Sequence, residues 1–269
     1  MQMVRLGLGL AAAVMVAAPA FAADLPAAYP AAPPPSGSPV YSGQSLVTAD
    51  VSLALGWSGV SGNGLDSDSF AGFAGGRVNI PFGGAWNEEL EIAGGGLFNG
   101  DAWQTGVFSH TYYKNQSWAA GLLLGYSWSG MSGADTVSVG TAGVEGIVFL
   151  PNASVLGKIA WVGGGDAPDD GINVGLGGRY YFEPNTKLTG TIDYFSDGDD
   201  SWLFTAGLEH RWSGSPFSAF VTGSYETASS APDTWGLMIG ARFAFDQPGS
   251  TLQSHDYEIP FTGTPGLHL

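Results

Sequence analysis

The 269-residue chain contains no cysteine, so a disulfide framework and a thiolate metal centre are both excluded. Basic residues are nearly as scarce: Lys and Arg total 8 against 24 Asp and Glu, a formal net charge of -16. That balance argues against nucleic acid as a partner, because phosphates are bound through clustered Lys and Arg. Beyond the N-terminal segment no continuous apolar run reaches the roughly 20 residues that a membrane-spanning helix requires. If the chain crosses a bilayer, it must therefore do so as strands closed into a barrel, which satisfies the backbone polar groups internally. What is abundant fits the same picture, with 43 glycines and 13% aromatic residues. Closely packed strands with aromatic girdles account for that pair better than a helical enzyme does.

Residues 1–22 have the pattern of a secretory signal peptide: Arg5 supplies the positive start, Leu6 to Ala18 the apolar run, and Ala20-Phe21-Ala22 the cleavage site. Residues 23–46 form a Pro/Ala-rich stretch, including Pro33-Pro34-Pro35, that suits a periplasmic leader better than helix or sheet. Residues 47–245 are expected to form an all-β, transmembrane, antiparallel up-and-down barrel of about 12 strands. Residues 246–269, with Pro248, Pro260 and Pro265, are left as a periplasmic tail or an inward plug.

The expectation is clearest in Thr234 to Phe245. Its alternate positions Trp235, Leu237, Ile239, Ala241, Phe243 and Phe245 make one apolar row, opposite Gly236, Met238, Gly240, Arg242 and Ala244. A strand points successive side chains to opposite faces, so one face is apolar and the other small or charged, as in a barrel wall between lipid and lumen. The spacing of Gly240, Phe243 and Phe245 resembles the assembly signal in the last strand of bacterial outer-membrane barrels. Ala23-Asp24-Leu25-Pro26, directly after the cleavage site, resembles the mature start of many alphaproteobacterial outer-membrane barrel (porin-like) proteins. These resemblances imply an outer-membrane address, contact with outer-membrane lipid and lipopolysaccharide, and insertion by the barrel-assembly machinery through the last strand.

Strand-like segments centred near Leu53, Gly75, Leu90, Val107, Leu122, Gly143, Gly157, Leu176, Gly190, Ala206, Val221 and Ile239 cover the expected barrel. Their connections alternate between short turns, such as Pro81-Phe82-Gly83-Gly84 and Pro151-Asn152, and mostly longer acidic loops carrying Asp66 and Asp68, Asp101, Asp135, Asp166 to Asp170, Asp197 to Asp200 and Asp233. Outer-membrane barrels show that alternation of short periplasmic turns and longer outer loops. The nine tryptophans fall near expected strand ends: Trp57, Trp103, Trp128, Trp161, Trp202 and Trp235 at the outer end, Trp86, Trp118 and Trp212 at the inner. Indoles belong at membrane interfaces, ring in the apolar zone and N–H toward headgroups. A secreted acidic β-sandwich is the competing plan, and it would spread tryptophans along its strands.

With the apolar face toward lipid, most strand charges face inward. Asp50, Glu89, Glu91, Glu145, Asp193, Glu209 and Glu226 stand against Arg77, Lys158, Arg179, Lys187, Arg211 and Arg242. From these, Arg77, Glu89, Glu91, Glu145, Lys158, Arg179, Asp193, Glu209, Arg211 and Arg242 are the candidates for a lumen constriction. Inward glycines, among them Gly121, Gly125, Gly175, Gly177, Gly207, Gly236 and Gly240, are expected to leave space for a narrow passive channel for small hydrophilic solutes or ions. The alternative is a non-conducting structural or surface protein whose interior charges are paired. A lipid hydrolase is a third reading, since Ser109 precedes His110 and Glu209 precedes His210, but both histidines lie toward the short-turn end, far from outer-leaflet lipid. No enzyme, cofactor or metal site is therefore expected. Asp166 to Gly171 comes nearest to a calcium loop and lacks the closing carboxylate, with Gly177 in its place.

Overall fold

A computed structural model of the chain describes residues 47–62, 65–100, 102–165, 170–196, 200–246 and 249–262. The signal segment, the leader, the calcium-like Asp166 and Asp169, and His268 lie outside the described residues. Twelve strands follow in chain order: β1 (Thr48–Gly62), β2 (Leu65–Gly83), β3 (Trp86–Leu97), β4 (Ala102–Lys114), β5 (Trp118–Met131), β6 (Val137–Leu150), β7 (Ala153–Gly163), β8 (Gly171–Glu183), β9 (Thr186–Ser196), β10 (Ser201–Arg211), β11 (Phe217–Ala228) and β12 (Asp233–Phe245). A short helix, α1 (Leu252–Glu258), comes after them. Each strand pairs antiparallel with its neighbours in sequence, and β12 closes on β1 from Ala49↔Phe245 to Ser61↔Asp233, giving a closed barrel without edges. Each expected strand centre falls in a separate strand.

The wall is inside out relative to a soluble domain. Leu53, Leu122, Ile159 and Ile239 are more than half exposed, whereas Asp50, Glu89, Asp193 and Glu209 are buried. Apolar side chains thus cover the outside and ionisable ones the inside, a pattern that a water-facing sandwich cannot sustain. No helix among the described residues is long and apolar enough to cross a membrane. Every strand has at least 11 residues, enough for the roughly 9–11 of a tilted spanning strand.

Twelve strands spaced about 4.8 Å apart and tilted about 40° give a backbone radius of roughly 12 Å. Side chains from opposite walls do not fill that width. The gap left is roughly that of one helix, about 10 Å across, and the chain's own C-terminal segment occupies it. Leu252, His255, Asp256, Ile259 and Phe261 are all at most 2% exposed. The segment enters at the end of the barrel where β1 starts and β12 finishes. Of the tail left open from the sequence, residues 249–262 lie inside the barrel as a plug.

Two loop expectations need correction. Asp68 and Asp66 do not sit in an outer loop: both belong to β2, opposite Gly59 and Ser61, because the β1–β2 ladder runs on to Gly62↔Leu65. Asp233 likewise opens β12, where its carboxylate accepts a hydrogen bond from Tyr225 Oη at 2.6 Å. At the opposite end, Pro81 and Phe82 continue β2 through a register shift instead of forming the turn. Proline has no N–H for the ladder, so the irregularity falls where the pairing tolerates it. The chain reverses at Gly84, with φ +60°.

Candidate functional site

All ten constriction candidates project into the lumen, where nine of them form linked ion pairs instead of a charged, open ring and Arg179 donates to main-chain carbonyls. On β1 to β3, Arg77 Nη2 meets Asp50 Oδ2 at 2.5 Å and Arg77 Nη1 lies 3.9 Å from Glu89. His110 on β4 meets Glu145 on β6 at 2.6 Å through Nδ1, with its Nε2 3.8 Å from Glu91. Lys158 on β7 pairs with Asp193 on β9 at 3.3 Å. Glu209 on β10 receives Lys187 at 3.0 Å and Arg242 at 3.2 Å. Arg211 holds Asp246, just past β12, through two hydrogen bonds of 2.7 and 2.8 Å. Buried charges are tolerated only when paired in this way.

Lumen glycines were expected to leave space, and for Gly121, Gly125, Gly175, Gly236 and Gly240 the structure overturns that reading. A Cβ on Gly125 would collide with the Phe108 ring, one on Gly240 with Phe220, and one on Gly175 would meet Asp193 Oδ1 at 2.6 Å and Lys158 Cε at 2.8 Å. These three glycines are the floor on which larger inward side chains from neighbouring strands lie. Phe108, Leu123 and Ala160 pack together as one such filled layer.

The plug spans the lumen from wall to wall. Thr251 caps α1 by accepting a hydrogen bond from Ser254 N at 3.1 Å, while Leu252 N donates to Asn185 Oδ1 at 3.0 Å in the β8–β9 turn. Asp256 Oδ2 then accepts from Lys187 Nζ at 2.6 Å and Tyr181 Oη at 2.9 Å, and Asp256 Oδ1 lies 3.7 Å from Arg242. Arg179 donates to two plug carbonyls, Pro260 O at 2.7 Å and Asp256 O at 3.4 Å. His255 bridges Asp50 at 3.0 Å and Asp246 at 3.1 Å. On the far side Lys114 Nζ pairs with Glu258 at 2.8 Å, and Tyr257 Oη donates to Asn115 O at 3.0 Å. Phe261 ends the crossing between His110, stacked at 5.9 Å, and Tyr112, edge-on at 5.0 Å, with its carbonyl accepting from Arg77 Nη1 at 3.0 Å.

These contacts set the plug's own charges. Burial opposes ionisation of Asp256, but Lys187, Arg179 and Arg242 outweigh it and hold the carboxyl well below the ordinary range. For Asp246 burial is likewise overcome, by hydrogen bonds from Arg211 and His255, and its pKa falls to about 2. Burial disfavours charge on His255, yet hydrogen bonds to Asp246 and Asp50 raise its pKa above the usual value.

The lumen lay within reach of sequence reasoning, which left the tail open between a periplasmic segment and a plug although a signal for the plug was present. Leu252, His255, Asp256 and Ile259 recur at helical spacing behind a capping Thr251. Ser109 and His110 do not form a hydrolytic pair, because they face opposite sides of the wall: Ser109 donates to Glu88 on the outside and His110 is buried in the lumen. His210 is also on the outside, 2.8 Å from Thr186 Oγ1. Among the described residues no group of three or more His, Asp or Glu is arranged to hold a metal ion. All nine tryptophans project outward near strand ends, with Trp57 against Phe70 at one rim and Trp86 and Trp118 flanking Tyr113 at the other.

No protein-family model matches the chain, and no curated protein sequence does. Among solved structures it superposes on an outer membrane channel from Pseudomonas putida F1 with a TM-score of 0.54 at 11% identity, covering 74% of this chain and 95% of that one. The fold is that of a bacterial outer-membrane barrel. The KdgM porin gives a TM-score of 0.47 at 11% identity over 74% of this chain and 99% of its own. The translocator domain of the autotransporter NalP from Neisseria meningitidis gives 0.48 at 13% identity over 76% and 90%.

Proposed function

We propose that this protein resides in the bacterial outer membrane as a narrow passive channel for small hydrophilic solutes or ions, shut at rest by its own C-terminal segment. The observation that carries the reading is how the plug is held. A permanent filler would be fixed by a continuous apolar core, but this one is held largely by ion pairs and hydrogen bonds to lumen side chains, with Leu252, Ile259 and Phe261 as its apolar anchors. Water can replace polar contacts of that kind, each worth about 0.5–1.5 kcal/mol net when neutral and about 1.5–3 kcal/mol when one partner is charged. The lumen exposed by withdrawal is lined by charge, as an aqueous passage requires.

A non-conducting structural barrel is the second reading, favoured by the paired wall charges and by the Phe108, Leu123 and Ala160 layer. Proteoliposome swelling separates the two. Asp256→Lys puts a cation among Lys187, Arg179 and Arg242 and expels the plug, so vesicles carrying that variant swell in a small sugar faster than those carrying the parent protein. Equal and negligible swelling of both, with the variant correctly folded, assigns the protein to the structural reading.

A further inference from the structure

We infer that the lumen pocket of Arg179, Tyr181, Lys187 and Arg242 is a binding site for small carboxylates, occupied at rest by the Asp256 side chain as an internal stand-in for the solute. The inference rests on the plugged-channel reading and names the solute class that the channel would favour.

The site is built into the wall. Tyr181 on β8 and Lys187 on β9 are register partners, so their side chains enter the lumen side by side. Both converge on one oxygen of Asp256, Tyr181 at 2.9 Å and Lys187 at 2.6 Å, and Arg179, Tyr181 and Lys187 are each less than 8% exposed. An ammonium and a phenol meeting on a single oxygen is a recognition geometry for a carboxylate, with charge from one donor and direction from the other.

The plug does not use the site fully. Arg242 Nε is buried without a hydrogen-bond partner, and Arg242 Nη1 lies 3.2 Å from Glu209 on the wall but 3.7 Å from Asp256 Oδ1 on the plug. Arg179 spends its donors on two main-chain carbonyls, and among the described residues no carboxylate lies within ion-pair distance of it. The competing wall carboxylate, Glu209, is shared between Lys187 and Arg242, and Asp246 is taken by Arg211. Withdrawal of Asp256 therefore removes one negative charge from a cluster of three cations whose one ion-paired wall carboxylate is Glu209. Arg179 lies two residues along β8 from Tyr181, roughly 7 Å away at the rise of a strand. A second carboxylate on the same small molecule would reach it, so a short dicarboxylate fits better than a monocarboxylate. Such a solute would also compete with the plug, coupling arrival to opening.

The test is calorimetric titration of the full-length protein in detergent with acetate, succinate, inorganic phosphate and chloride at one ionic strength. Asp256→Ala removes the stand-in and leaves its wall partners. The expected result is succinate binding at least tenfold tighter to Asp256→Ala than to the parent protein, acetate weaker than succinate, and phosphate and chloride weaker still. Adding Lys187→Gln to the Asp256→Ala background should lose at least tenfold again. Asp256→Asn, close in size, serves by the same criterion if the alanine variant does not fold. Succinate affinity unchanged by loss of Asp256, or phosphate binding as tightly as succinate, overturns the proposal. Because binding is read without current or flux, a variant that binds succinate and passes nothing keeps the site while the channel reading falls.

Discussion

Phe261→Ala is the sharpest probe of how firmly the plug is seated. The ring is 1% exposed, lies between His110 and Tyr112, and packs with Ala119, Ile147 and Leu156. Removing a buried phenylalanine costs about 3–5 kcal/mol in a well-packed site. Since the plug withdraws into water instead of unfolding a core, the lower figure applies. About 3 kcal/mol at about 1.4 kcal/mol per decade raises the plug's opening equilibrium roughly a hundredfold. Amide hydrogen exchange reports that equilibrium directly, because Gln253, His255 and Ile259 N–H groups are bonded to Pro184 O at 2.9 Å, Thr251 O at 3.0 Å and His255 O at 3.0 Å. The peptide covering 249–262 should exchange about a hundred times faster in Phe261→Ala while the strands are unchanged. Exchange within about threefold of the parent would refute the claim that this ring anchors the plug.

Three further outcomes follow from the same contacts. Asp246 has a lowered pKa, so its contribution to plug docking is complete above its unfolded value of 3.8 and is lost as pH falls through about 2. His255 has a raised pKa, so its contribution is complete below its unfolded value of 6.5 and is lost as pH rises through the higher folded value. Limited proteolysis of the segment should thus be slowest between about pH 4 and 6.5 and faster at alkaline pH, and a pH-independent rate would contradict both assignments. Gly125→Ala forces the Phe108 ring off its floor and should lower barrel stability by about 1–3 kcal/mol in denaturant titration, whereas no change would mean that the ring has room to move. In the Asp256→Lys background, Arg242→Glu should shift the passage toward cations in reversal-potential measurements, and an unchanged ratio removes Arg242 from the conducting path.

Much of the barrel was legible because its code is local. A period of two with an apolar row, as in Trp235 to Phe245, states both the strand and its outward face, and closure follows from the need to satisfy every edge in hydrocarbon. The inward charges followed from the same parity. What parity cannot state is how those charges meet across strands: Glu145 and His110 are 35 residues apart, and Asp50 and His255 are 205 apart. The glycines were misread for the same reason. Gly125 looks like vacant space along its own strand, and only the β4–β5 register places the Phe108 ring over it. The plug was left undecided, since its prolines suggested a loose tail and the helical spacing of Leu252, His255, Asp256 and Ile259 covers only one seven-residue helix.

The central claim is that the barrel conducts and that its own C-terminal segment closes it. Unitary current in a planar bilayer tests this most directly, comparing the full-length protein with Asp256→Lys under one salt and voltage. The account predicts long closed periods in the parent and reproducible ohmic steps in the variant. Silence from both, or identical steps from both, would contradict it.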